Sequence, residues 1–186
     1  MLKPILFEKV WGGRRLEQWG KSIPRGARVG ESWEVAAIPE DLLAGSHGGA
    51  LNSEIINGRE AGLTLHDMMA VWSRSAFLGD SIRTSAPGFP LLVKLLDATE
   101  NLSIQVHPSP AYAAEHSDAY LKTECWYVLD ADEGSVIYKG VKPGVTASDF
   151  RSAIDAGTVP EVMHSVPAVV GEMHELPSGT VHALGA

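Results

Sequence analysis

Cysteine is nearly absent: Cys125 is the only one in 186 residues. That excludes an internal disulfide framework and fits a reducing compartment, so the sequence predicts a cytoplasmic protein. No uninterrupted apolar run reaches the ~18 residues of a membrane-spanning helix. The leading segment, MLKPILFEKVWGG, carries one early lysine, a proline and an acidic residue, and it lacks a small-residue cleavage site. These features argue against a secretory signal. Positive charge is also short: 15 Lys and Arg against 23 Asp and Glu leave a net −8, which speaks against general nucleic-acid binding. An anionic substrate would need a local cluster of Lys, Arg or backbone donors working against that field. Internal repeats and low-complexity linkers are missing too, and the length suits one domain with a sizeable core.

What is present is mostly strand pattern. Residues 4–11 and 29–38 alternate apolar and polar character, with Gly12-Gly13 and Ile38-Pro39 as punctuation. Gly45 to Gly49 and Ser85 to Gly88 read as loops. Between them, Leu63 to Leu78 takes helical spacing, with Leu65, Met68, Met69 and Trp72 on a core-facing stripe and Thr64 as a cap three residues before Asp67. The run LLVKLLDA predicts a strand covered on both faces. Further strands are expected at Leu102–His107, Lys122–Leu129, Gly134–Tyr138, Val169, Met173–Leu176 and Thr180–Leu184. Short helices are expected at Ser109–His116 and at Thr146–Ala156, the latter with Thr146 or Ser148 near its start and Gly157 as its stop. Many short strands with helical insertions predict a mainly β jelly-roll or barrel rather than a βαβ fold.

Three segments offer metal-type ligands from strands: Gln105-x-His107, Lys122-Thr-Glu124 and Gly171-x5-Pro177-x-Gly179-x-x-His182. Side chains two apart share a strand face, so Ser103, Gln105 and His107 lie together, as do Lys122 and Glu124. If the polar face is interior, its amide and imidazole groups need a partner, and a cation supplies one. The alternatives are a solvent-facing polar stripe and an exposed Lys/Glu pair. In the third segment the glycines permit positive φ and the proline fixes the approach to a turn that delivers His182. Cys125 and the Met and Trp residues of 65–72 read as core. Glu31, Ser32, Trp33 and Glu34 read mainly as a strand with a buried Trp. Arg14 and Arg15 read as solvated, and His47, His66, His116 and His164 show no ligand pairing. His174 reads as a group behind a ligand or at the surface.

The order of motifs resembles the type I mannose-6-phosphate isomerases (phosphomannose isomerases) of the cupin superfamily. It runs from Trp11-Gly12-Gly13 through Gly30-Glu31-Ser32-Trp33-Glu34-Val35 and Phe89-Pro90-Leu91-Leu92-Val93-Lys94-Leu95-Leu96-Asp97. It continues with Leu102-Ser103-Ile104-Gln105-Val106-His107-Pro108 and Lys122-Thr123-Glu124-Cys125-Trp126-Tyr127, and closes on Pro177-Ser178-Gly179-Thr180-Val181-His182-Ala183. The resemblance implies a cupin-like jelly-roll barrel over 1–186, with a mostly helical insertion near 60–80 and the family's C-terminal region absent. It implies one zinc ion held by Gln105, His107, Glu124 and His182, with other divalent metals able to serve. Ser103, Lys94 and Lys122 would contact the sugar phosphate. The implied reaction interconverts mannose 6-phosphate and fructose 6-phosphate, with Lys122 as candidate proton carrier and Glu124 or a water on the metal as alternatives.

The family continues its barrel beyond the last ligand, with an acidic residue and an arginine that this sequence lacks. Two expectations follow from that departure. Activity would be weak or absent, leaving a metal-binding cupin that recognises a sugar or sugar phosphate. An unpaired strand edge near residues 180–186 would also favour a homo-oligomer.

Overall fold

We analysed a computed structural model, which describes residues 1–38, 51–81 and 89–185. The expected loops at 45–49 and 85–88, and with them His47, lie outside the described residues. The chain divides into two compact units, Met1–Asp97 and Ala98–Ala186.

In the first unit, β1 (Ile5–Gly13) pairs antiparallel with β2 (Val29–Val35). A short ribbon follows, β3 (Ala37–Ile38) with β4 (Leu51–Asn52), then helices α1 (Leu65–Val71) and α2 (Arg74–Leu78), and finally β5 (Val93–Leu96). The sheet order is β1-β2-β5. Val29 from β2 forms the small core with Leu16, Ile23 and Ala27, against which Leu6 and Leu95 pack, while Trp33 is buried against the Phe7 ring at 4.9 Å. A 3-10 turn at Arg15–Trp19 escaped the sequence reading.

Arg14 is exposed, as expected, and also ties a loop together. Its guanidinium donates to the carbonyls of Pro24, Ala27 and Ile23 at 2.9–3.2 Å. Five fixed donors in one plane suit it to gathering carbonyls that no strand satisfies. The expected single helix over 63–78 is broken. Thr64 and Asp67 form a capping box for α1, but Trp72 is extended, and Ser73 caps a second helix by accepting from the Ala76 N–H. Trp72 is therefore not a core residue; it is 45% exposed and meets the edge of Phe77. Nor is the LLVKLLDA strand covered on both faces. As the sheet's edge strand, β5 leaves Val93 exposed, with Leu91 just before it exposed too.

Glu31 organises the charged face of this sheet. It accepts a 2.7 Å hydrogen bond from Trp33 Nε1 and pairs with Lys94 at 3.1 Å and Lys9 at 3.5 Å. Burial raises its pKa, but the Trp33 hydrogen bond and the two ammonium groups outweigh that and hold it below the usual 4.5. A carboxyl lowered on folding adds stability above its unfolded pKa and loses it as pH falls through the folded value. Glu31→Gln should therefore cost about 1 kcal/mol at pH 7, allowing for solvent screening, and should remove part of the acid sensitivity below about pH 4.5. Paired urea titrations at neutral and acid pH measure it; identical acid losses in both proteins would refute the assignment.

In the second unit the elements are β6 (Gln105–Val106), α3 (Pro110–Glu115), β7 (Glu124–Tyr127) and β8 (Val136–Val141), then α4 (Ala147–Ala156) and α5 (Val159–Val162). The chain finishes with β9 (Met163–Pro167), β10 (Met173–Leu176) and β11 (Val181–Leu184). One sheet runs β6-β11-β8-β9, and β7 pairs with β10. Helix α4 stops at left-handed Gly157, as the sequence predicts, and of the two candidates at its start Thr146, not Ser148, is the cap, in a capping box with Asp149. Strand β9 was not anticipated, and Val169 sits beside a turn rather than in a strand. Cys125 is exposed, not core: opposite Glu175, it lies on the outer face of the β7–β10 ribbon.

The expected open edge at 180–186 is also overturned. Strand β11 is interior, pairing with β6 through Val181 and His182 and with β8 through His182 to Leu184. The Gly185 N–H extends this by donating to the Val136 carbonyl at 2.8 Å. Residues 181–185 thus spend their backbone groups within the unit. No helix among the described residues is long and apolar enough to cross a membrane.

Candidate metal centre

The tight turn Pro177–Thr180 gathers the three ligand-bearing segments. The Thr180 N–H closes it on the Pro177 carbonyl at 3.0 Å, while the Gly179 N–H donates to the His107 carbonyl at 2.9 Å. Ser178 binds the other strand twice, accepting from the Lys122 N–H at 2.7 Å and donating its own N–H to Thr123 Oγ1 at 3.3 Å. Gly179 is required for two reasons. Its φ is +93°, and a Cβ there would stand 2.9 Å from Ser109 Cβ. Ser178 was missed at the sequence level, because nothing in a Pro-Ser-Gly turn says which strand its hydroxyl will meet.

His182 lies on β11 directly opposite Gln105 of β6. Directly opposed residues of an antiparallel pair project to one face, so the outermost two of the four implied ligands share a side. His182 is buried, its Nδ1 sits 2.8 Å from the Thr180 carbonyl, and its Nε2 is left without a hydrogen-bond partner. Fixing one ring nitrogen on a carbonyl presents the other as a lone pair, the usual arrangement of a metal-binding imidazole. That Nε2 stands 3.1 Å from Glu124 Oε2, too poorly aligned for a hydrogen bond, and the other carboxylate oxygen is 3.7 Å from His107 Nε2. One ligand atom from each of His107, Glu124 and His182 lies within 4.8 Å of the others. Donors at ~2.0–2.1 Å from a tetrahedral zinc stand roughly 3.4 Å apart, so this spacing fits one small divalent ion.

Lys122 completes the cluster. Its ammonium is 2.8 Å from Glu124 Oε1 and 3.3 Å from His107 Nε2. Burial raises the Glu124 pKa, but the close approach of the His182 ring and the Lys122 ammonium, with the surrounding positive charge, brings it down to about 2. His182 is raised by the Glu124 carboxylate, against the effect of burial. His107 is lowered by burial and by the Lys122 charge. The carboxylate is therefore anionic across the physiological range, as a ligand must be.

The other sequence-predicted residues fall into place unevenly. Ser103, two residues before β6, lies 3.5 Å from the Gln105 side-chain nitrogen. Lys94 belongs to the first unit, bound to Glu31 and stacked 4.4 Å over the Trp33 ring. Trp126 sets its ring edge against His182 at 5.4 Å, and half-buried His174 is paired across from Trp126.

The catalytic-domain model of type I phosphomannose isomerases matches residues 1–142. The chain belongs to the type I phosphomannose isomerase family. The mannose-6-phosphate isomerase of Streptococcus mutans is 37% identical over 185 residues, which are 99% of this chain and 53% of that protein. The chain thus spans about half the length of the curated relatives it matches. The crystal structure of the Bacillus subtilis mannose 6-phosphate isomerase superposes with a TM-score of 0.79 at 33% identity, covering 99% of this chain and 54% of that one. A Salmonella typhimurium mannose 6-phosphate isomerase, solved with fructose 6-phosphate and zinc, shares the fold at 16% identity. Its TM-score is 0.61, over all of this chain and 66% of that one. The mainly β architecture of this chain is the cupin fold of these isomerases.

Proposed function

We propose that the chain carries the metal centre of a zinc-dependent aldose–ketose isomerase that interconverts mannose 6-phosphate and fructose 6-phosphate. The observation that supports it is the convergence of His107, Glu124 and His182, with Gln105 opposite His182 and Lys122 on the cluster's edge. Two imidazole nitrogens, a carboxylate and a neutral amide form a borderline-to-hard set that suits zinc and admits manganese, iron or cobalt. Zinc held by these four residues would act as a Lewis acid on the sugar's carbonyl oxygen.

This chain's own residues supply the remaining work. The isomerisation removes the C2 proton of the aldose, passes through an enediol and delivers a proton to C1, so no oxidant or reductant is consumed. Lys122 is the proposed proton carrier, because its Nζ, at the end of a flexible four-carbon side chain, lies beside two of the ligand residues. Glu124, committed as a ligand and acidic at about 2, is a poor base for that step. Ser103, Lys122 and Lys94 are the proposed contacts to the sugar phosphate. Cytoplasmic location is proposed from the lone free thiol, Cys125. Self-association through β11 loses its basis, since that strand is paired on both sides; a homo-oligomer would have to use another edge, such as β9.

The test is a coupled assay of mannose 6-phosphate conversion after reconstitution with zinc. Turnover that chelation abolishes and zinc restores is the expected result. Zinc and sugar-phosphate binding without turnover would instead make the chain a recognition module.

A further inference from the structure

All seven lysines of the chain lie among the described residues, and six of them have partners. Lys3 pairs with Glu54, Lys9 and Lys94 with Glu31, Lys21 with Glu34 and Lys122 with Glu124, while Lys142 donates to the Glu161 carbonyl. Lys139 alone makes neither a hydrogen bond nor an ion pair among the described residues, although it is half-buried. In a protein of net charge −8 a lysine finds carboxylates easily, so an unpaired one in partial shelter calls for an explanation.

Its place in the sheet supplies one. Lys139 is directly opposite His182 in the β8–β11 ladder, so Gln105, His182 and Lys139 form one row across β6, β11 and β8. Opposed residues share a face, and the residue two before Lys139, Ile137, is fully buried on that same side. The β8–β9 ladder breaks its register just after Tyr138, where Gly140 takes φ +77°. Such bulges end the regular pairing of a strand and often sit beside functional sites. By contrast, Lys94 and Lys122, the two lysines implied for the sugar phosphate, are each already paired with a glutamate.

We propose that Lys139 is an anion-binding residue of the metal-bearing face and holds the phosphate group of the sugar phosphate. The assignment rests on the isomerase reading above and adds a specificity-determining residue to it. A neutral sugar has no use for this ammonium; a phosphomonoester does, through charge-assisted hydrogen bonds.

The experiment compares wild type, Lys139→Met and Lys139→Arg. Zinc content is measured first. Each protein is then titrated with mannose 6-phosphate, with mannose and, with and without zinc, with inorganic phosphate. The expected result is a loss of about 10- to 100-fold in affinity for the two phosphate-bearing ligands in Lys139→Met, with mannose binding and zinc content unchanged and Lys139→Arg largely restored. Equal affinity of wild type and Lys139→Met for mannose 6-phosphate and for inorganic phosphate overturns the proposal. Failure of the metal reading shows separately, as wild-type protein that retains no zinc, and the zinc-free phosphate titration still decides the role of Lys139.

Discussion

His182→Ala should abolish stable zinc binding. Wild-type protein dialysed against micromolar zinc should retain about one ion per chain, and the variant close to none. Changes to groups that only orient a ligand commonly cost 10- to 100-fold in metal affinity. Removing a ligand outright should exceed that. His182 is the sharpest choice because its geometry has the fewest alternative explanations. A buried imidazole whose Nδ1 is fixed by Thr180 and whose Nε2 lacks a hydrogen bond is costly unless something binds it. The substitution also removes the ring from beside Trp126 and His107, so folding must be monitored. His182→Gln, which keeps much of the volume, serves as the control: weakened zinc binding in a protein that melts like wild type separates ligation from packing. Zinc retained at wild-type affinity by a folded His182→Ala would remove the metal centre, and the isomerase reading with it.

The path from sequence to this centre shows which physical signals are local. The period of two grouped Ser103 with Gln105 and Lys122 with Glu124, as their contacts show, although β6 and β7 are shorter than expected and Ser103, His107 and Lys122 lie just outside them. The Pro177–Gly179 turn was recognisable because only certain residues tolerate its dihedral angles, and Gly179 does adopt φ +93°. The helix cap at Thr64 was legible because a hydroxyl three residues before an aspartate satisfies backbone donors that any helix start leaves open; the same signal decides for Thr146 over Ser148 in α4. Ladder partners were not legible. That Gln105 faces His182, that His182 also faces Lys139, and that β11 is interior are consequences of pairing between distant segments. The same gap explains the errors. Burial of Cys125, Trp72 and Val93 was inferred from their own strand or helix, whereas exposure depends on what covers that element. The hydrogen bonds of Arg14 were missed too, because the carbonyls it gathers lie 9 to 13 residues away, in a loop with no pattern of its own.

Gly12→Ala should be the most destabilising single-methyl change in the first unit. Sequence punctuation placed Gly12-Gly13 after the strand, but both residues belong to β1, where they press against β2. A Cβ on Gly12 would stand 2.4 Å from the Gly30 nitrogen, 2.6 Å from the Val29 carbonyl carbon and 2.9 Å from the Gly30 Cα. All three are backbone atoms of a paired strand, so no rotamer change relieves the overlap. The ladder has to open, and the Arg28 guanidinium that donates to the Gly12 carbonyl at 2.7 Å has to shift with it. Overpacking where side chains can yield costs ~1–3 kcal/mol, and this collision lies at or above the top of that range. For a unit of this size each kcal/mol lowers the melting temperature by roughly 4–8 °C, so a fall of about 12 °C or more is expected by circular dichroism. Gly30→Ala is the informative contrast. Its Cβ would meet the Trp11 ring at 2.5 Å, which can swing, and Lys9 Cβ and Cγ at 2.8 Å, of which the Cβ moves only with the strand, so a cost of about 1–3 kcal/mol, below that of Gly12→Ala, is expected. If Gly12→Ala melted within two or three degrees of wild type, the close backbone contact between β1 and β2 would be refuted, and with it the account of why a glycine stands there.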